Sequence, residues 1–259
     1  IERTSAKLMG GSLWIFKEPE NNHKYVMGVD VSRGDSEDFS CIEIIDFDER
    51  EQVLEYVGKV PPDVIAEIAF KWGSMYNAFC VIDITGGMGV STARKMQEMS
   101  YPSGLYVDNI DPSKKWKWDP KINEKIPGIN FNSKRVQIIS SFEEALRHGF
   151  KTYSHRLYNE MNTFIYVNGR PDHQKGHHDD CIMAMSMAIY VAEKSFQSLQ
   201  KVVNHTKAML NSWSTAINEN KNTSEFFNPM IPQMGRQHPN SQGPSKQDYQ
   251  KYGWLFGAK

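Results

Sequence analysis

Apolar positions along the chain gather into short runs separated by polar turns, and the spacing inside each run predicts its element. Tyr25-Val26-Met27-Gly28-Val29 is unbroken and ends in Asp30, the pattern of a strand buried on both faces. Residues 40–47 and 52–57 alternate better, and the polar link Asp48-Glu49-Arg50-Glu51 between them predicts a hairpin. Leu13-Trp14-Ile15-Phe16 predicts a lead-in strand. Pro61-Pro62-Asp63 opens a helix running to residue 76, with Ile65, Ile68, Ala69 and Trp72 at helical spacing. A second apolar run, Ala78-Phe79-Cys80-Val81-Ile82, ends in Asp83. A glycine-rich turn and a helix over residues 91–99 follow.

Residues 108–130 break this rhythm. Lys114, Lys115, Lys117 and Lys121 are interleaved with Trp116 and Trp118. Such a stretch suits either an exposed surface loop or a DNA-facing one, where lysines neutralise phosphates and rings stack or brace the loop. Ser133 is expected to cap a helix to residue 148, and Ser154 another to residue 164. Phe164-Ile165-Tyr166-Val167, an Asn168-Gly169 turn and Arg170 predict a second hairpin. Helices are expected over 179–194 and 196–217. From 218 onward the chain is rich in Asn, Gln, Pro, Ser and Gly, the composition of a flexible tail. The expected organisation is a lead-in segment (1–23), an α/β domain with a mixed sheet (24–195), a helical extension (196–217) and a polar tail (218–259).

Composition narrows the class. The chain has 259 residues, is 39% hydrophobic and 24% charged, and carries a net charge of −1, so a nucleic-acid surface has to be a local patch. Cys41, Cys80 and Cys181 each lie in an apolar segment without C-x-x-C spacing and are expected to be reduced core residues. No run of eighteen apolar residues and no signal peptide is present, which points away from a membrane or secreted protein.

The candidate chemistry is acidic. Asp30 and Asp83 end two strands, and the polar loop His173-Gln174-Lys175-Gly176-His177-His178 delivers Asp179-Asp180 to the start of an apolar helix. In α/β sheets functional groups gather at the carboxyl ends of strands. A hard divalent cation, Mg²⁺ or Mn²⁺, takes carboxylate oxygen, and crowded carboxylates tolerate one another with a cation between them. If the acids converge, two ions can polarise a phosphodiester and activate water. Asp38 is placed to assist across the turn, with His177 and His178 beside the acidic pair. One of Asp179 and Asp180 is expected to serve as helix cap and the other as ligand. The cluster Thr85-Gly86-Gly87-Met88-Gly89 lacks the lysine of a phosphate loop and reads instead as a close backbone turn past Asp83.

These segments together resemble the C-terminal nuclease domain of the large terminase subunit of tailed phages, with T-even types most similar. The resemblance rests on Met27-Gly28-Val29-Asp30-Val31-Ser32-Arg33-Gly34 with Asp38, on Val81-Ile82-Asp83, on Ser133-Lys134-Arg135 with Leu157-Tyr158-Asn159-Glu160 and Phe164, and on Gly176-His177-His178-Asp179-Asp180 before Ala184 and Ala188. It implies an RNase H-like, resolvase-like fold and a metal-dependent endonuclease that cuts concatemeric viral DNA in the host cytoplasm. Asp30, Asp83 and the Asp179-Asp180 pair match the acidic triad, with Asp38 accessory. Asp83 stands where related phages can carry Glu. Double-stranded DNA, the portal and the small terminase subunit are the implied partners. Arg33 and Arg135 join the four lysines as implied DNA contacts. The chain holds no Walker motif, so the likeness is to the nuclease part alone.

Three other classes share parts of this pattern. A resolvase or integrase-type nuclease would have the same acids. An actin-like ATPase has similar turns after Asp30 and Asp83, but it duplicates the unit in a longer chain and has no use for His-His-Asp-Asp at a helix start. A non-catalytic DNA-binding module would use the acids as caps.

Overall fold

The computed structural model describes residues 6–35, 38–108, 126–167 and 169–195. Its centre is a six-stranded mixed sheet in the order β1-β2-β5-β4-β3-β6. The strands are β1 (Ala6–Leu8), β2 (Leu13–Ile15), β3 (Tyr25–Asp30), β4 (Ser40–Asp46), β5 (Glu51–Gly58) and β6 (Phe79–Ile82). β3, β4 and β5 form an antiparallel meander, and β6 joins the far side of β3 in parallel. The parallel pairing brings the last residues of β3 and β6 to the same end of the sheet, with Val29 opposite Ile82. The lead-in strand expected at Leu13-Trp14-Ile15-Phe16 is β2, and with β1 it extends the sheet beyond β5.

Helices cover both faces. On one side α1 (Pro62–Tyr76) and α2 (Met88–Glu98) pack Ile65, Ala69, Trp72, Ala93 and Met96 against Met27, Val29, Ile42 and Ile44. Pro62 at the start of α1 has its missing N–H where none is needed. On the other side lie α3 (Phe131–Arg147), α4 (His155–Thr163) and a helix over residues 180–195, α5. Their Ile138, Phe142, Leu157, Ala184 and Met185 meet Val26, Cys41, Ile45 and Val81. A separate two-stranded hairpin, β7 (Phe164–Val167) and β8 (Arg170–His173), leads from α4 toward α5.

Three local expectations change. β4 and β5 alternate in sequence as if half-exposed, yet Glu43, Gln52 and Glu55 are buried, because the second helical layer covers the face that holds their side chains. Asn130, not Ser133, caps α3, and its side chain accepts the Ser133 N–H, so the helix begins earlier. α2 starts at Met88, directly out of the glycine turn. Ser154 does cap α4, accepting from Arg156 and Leu157 N–H. All three cysteines are free and buried. No helix among the described residues is long and apolar enough to cross a membrane. The expected helix at 196–217 and the tail at 218–259 lie outside the described residues, as do Lys114, Lys115, Lys117 and Lys121.

Candidate metal centre at the strand ends

Asp30, Asp83, Asp179 and Asp180 come together. Asp30 ends the central strand β3, and Asp83 directly follows β6, its N–H donating to the Val29 carbonyl at 2.9 Å. Asp179 precedes α5 and supplies the carbonyl that accepts the Met183 N–H, while Asp180 opens the helix. Two glycines make the approach possible. A Cβ on Gly28 would sit 1.9 Å from the Ala184 carbonyl oxygen, so α5 crosses directly over β3. A Cβ on Gly89 would sit 1.7 Å from the Asp83 carbonyl oxygen, which is the close turn expected of the glycine cluster.

The electrostatics register the crowding. Burial pushes the Asp30 carboxyl well above the usual range, and Asp180, Asp83 and Asp179 add to the shift in that order. Asp180 is pushed up to about 6, first by burial and then by Asp179 and Asp38, although the Phe39 N–H (3.2 Å) and His178 oppose the shift. Asp83 is raised by burial but is partly relieved by N–H groups of Thr85 (2.8 Å) and Phe131 (3.3 Å) on its Oδ1 and by Arg135. Carboxyl groups that raise one another in this way are the donor set a divalent cation stabilises. The carboxylate chemistry of these residues therefore suits a divalent cation.

The acidic pair divides. Asp180 is buried and tied to the turn after β3. Asp179 faces the hairpin, where its Oδ2 accepts from Arg135 at 2.8 Å and its Oδ1 lies 3.2 Å from His173 Nδ1. Asp172, His173 and Asp179 have donor atoms within 4.8 Å of one another. Arg135 also donates to the Pro171 carbonyl at 2.6 Å and to Asp172 at 3.3 Å, and lies over the Phe131 ring.

Arg135, expected among the DNA contacts, has a side chain only 12% exposed, and its donors are engaged inside the fold. Arg33 is exposed and pairs with Asp35 at 3.1 Å. His178 packs edge-on against Phe39 and lies 3.8 Å from Asp180 and 4.0 Å from Asp38. Asp38 remains largely exposed, and His177 is exposed, its N–H bonded to the Gln174 carbonyl.

The structure adds groups to this neighbourhood that the sequence pattern does not single out. Glu160 of α4 accepts the Ile182 N–H at 3.0 Å, and burial pushes it up to about 8, with Asp180 and Asp179 adding to the shift. Asp172 and His173 flank Asp179 through the hairpin. The Asp-His pair a few residues before a second acidic pair is a signal in the sequence for these two. A lone Glu on a helix offers none.

Comparison with solved structures bears on the fold. The large terminase nuclease of thermophilic phage G20c, crystallised with bound magnesium, superposes with a TM-score of 0.54 at 16% identity, over 71% of this chain and 89% of that one. This chain has the fold of a terminase nuclease domain. The cobalt-bound form of the same phage protein gives a TM-score of 0.53 at 14% identity, over 71% and 89% of the two chains. The large terminase nuclease domain of Thermus phage P74-26 gives 0.51 at 16%, over 69% and 84%. No protein-family model matches the sequence, and no curated protein does either. The RNase H-like mixed sheet expected from the resemblance is the one observed.

Proposed function

We propose that this chain is a metal-dependent nuclease of viral genome packaging, an endodeoxyribonuclease that cuts concatemeric double-stranded DNA. The observation that carries the proposal is the convergence of Asp30, Asp83 and Asp180, with Asp179, at the shared end of β3 and β6. The shared fold with terminase nucleases crystallised with magnesium and cobalt supports it. Asp30, Asp83 and Asp180 would hold the cation, with Asp179 as the arm toward a second ion. When bound, such ions polarise a phosphodiester and make water a stronger nucleophile.

The chain's own groups supply position. Thr85 and Phe131 N–H groups fix one oxygen of Asp83. Phe39 N–H fixes Asp180. Arg135 sets Asp179 against the hairpin and offsets part of the negative charge. Lys114, Lys115, Lys117 and Lys121 are proposed to hold the DNA backbone, and in a terminase the portal and small subunit would be the protein partners.

The test is nicking of supercoiled plasmid with Mg²⁺ or Mn²⁺ and with EDTA, for the wild type and Asp30→Asn. Metal-dependent nicking that Asp30→Asn abolishes is expected, with folding intact. Undiminished cleavage by Asp30→Asn would remove these carboxylates from the mechanism. Strong preference for four-way junctions over plasmid would assign the chain to the resolvase-type reading instead.

A further inference from the structure

A second cluster of donors lies in the core, on the face of the sheet beneath α5. Cys41 and Glu43 stand two residues apart on β4 and so share a face. Cys181, in the first turn of α5, descends onto them. The three donor atoms lie within 4.8 Å of one another, and all three residues are buried. The close crossing of α5 over Gly28 holds the helix at this depth.

The cluster contains unmet acceptors. Glu43 Oε2 accepts from Gln52 Nε2 at 2.8 Å, but its Oε1 is buried without a hydrogen-bond partner. Glu55 pairs directly with Glu43 across β4 and β5. Its Oε1 takes Arg156 Nε at 2.6 Å, while its Oε2 is buried beside the Glu43 carboxyl, which burial and Glu55 together push well above its usual range. Glu160 borders the Cys181 thiol from α4. Bare carboxylate oxygens in a low-dielectric interior are strongly unfavourable unless a proton or cation meets them. Two thiols beside them change which cation suits: hard Mg²⁺ avoids sulfur, whereas Zn²⁺ takes thiolate and carboxylate together.

We propose that Cys41, Glu43 and Cys181 form a buried transition-metal site, separate from the aspartate centre and suited to Zn²⁺, with Glu55 and Glu160 bordering the fourth position. Its role is structural. It fastens α5, which carries Asp180 and follows directly on Asp179, to the strand next to the one that carries Asp30. Because the donors are enclosed, the ion is taken up as the chain folds, with release of the thiol protons.

The experiment is to unfold the full chain, refold it under reducing conditions with Co²⁺, remove free metal and record the spectrum. Thiolate coordination gives sulfur-to-cobalt charge-transfer absorption in the near ultraviolet, which oxygen-only coordination at the aspartates does not. The expected result is that absorption in the wild type and in Asp30→Asn/Asp83→Asn, bleached by Zn²⁺, and absent in Cys41→Ser and in Cys181→Ser. A wild type that refolds to its native circular dichroism without the absorption overturns the site, as does absorption that survives both cysteine substitutions. Native mass spectrometry of the Zn²⁺-refolded double-aspartate variant gives an independent readout: one zinc that the further substitution Cys41→Ser removes is expected, and a zinc count unchanged by Cys41→Ser overturns the site. Neither measurement depends on nuclease activity, so the packaging assignment can fail without this one.

Discussion

Gly28 lies directly beneath the Ala184 carbonyl, so close that a methyl group between them would overlap it at 1.9 Å. This approach sets the height of α5 over β3, and through it the distance of the acidic pair from Asp30. Gly28→Ala is expected to cost about 3 kcal/mol in urea unfolding, at the upper end of typical overpacking because the obstacle is backbone. Nuclease activity should fall further than the folded fraction does. A variant with wild-type stability and cleavage would mean that α5 can ride higher without disturbing the site.

The acidic pair divides between two neighbourhoods, and substitution should separate them. Asp180→Asn should abolish plasmid nicking, since this carboxyl faces Asp30. Asp179→Asn should leave weaker cleavage and a raised requirement for metal. It should also loosen the hairpin, because Arg135 loses its 2.8 Å partner. Arg135→Gln, which leaves Asp172 and Asp179 without their guanidinium, is expected to destabilise the fold by roughly 3 kcal/mol. Full activity in Asp180→Asn combined with none in Asp179→Asn would reverse the assignment.

Stability of the metal-free protein should fall as pH rises. Asp180 and Glu160 both have folded pKa values raised above their ordinary ones, to about 6 and about 8, chiefly by burial. The native state therefore keeps protons that the unfolded chain releases. This contribution is complete at acid pH and is lost as pH climbs through about 6 for Asp180 and about 8 for Glu160. Denaturant unfolding in EDTA across this window should show the decline, and Glu160→Gln should flatten its upper part. Added Mg²⁺ should restore the Asp180 part, since the cation binds the ionised form. Metal-free stability that rises across the window would contradict both shifts.

Most of the sheet is legible in the sequence because its strands advertise themselves. The unbroken run into Asp30 and the shorter one into Asp83 mark central strands by composition, and Pro61-Pro62 and Ser154 mark helix starts. Burial of Glu43, Gln52 and Glu55 is not legible. Period-two alternation shows which positions share a face but not whether that face meets water, and here α4 and α5 cover it. The role of Arg135 is hidden for a related reason. Its place in sequence, just after a basic stretch, says nothing of the Asp172 and Asp179 carboxylates that the hairpin swings beside it.

The four lysines of the 109–125 segment remain the proposed phosphate contacts. Removing one ionic bond to a phosphate should flatten the slope of log affinity against log salt by about 0.9 for duplex DNA. Sequence preference should stay unchanged, since phosphates carry no base information. Replacing Lys114, Lys115 and Lys117 with glutamine should thus lower affinity uniformly and reduce the slope. An unchanged slope would make the segment an ordinary surface insertion.

The base of that segment is closed independently of its contents. Val107 bridges to Gly128, the Gly128 N–H donates to the Tyr106 carbonyl at 2.7 Å, and Ile129 continues along the edge beside Asp83. The chain thus departs and re-enters at one point on the rim of the sheet. Closure entropy grows slowly with loop length, so this junction is a place where length and charge can be exchanged during evolution, or in the laboratory by grafting, while the acids a few residues away keep their positions.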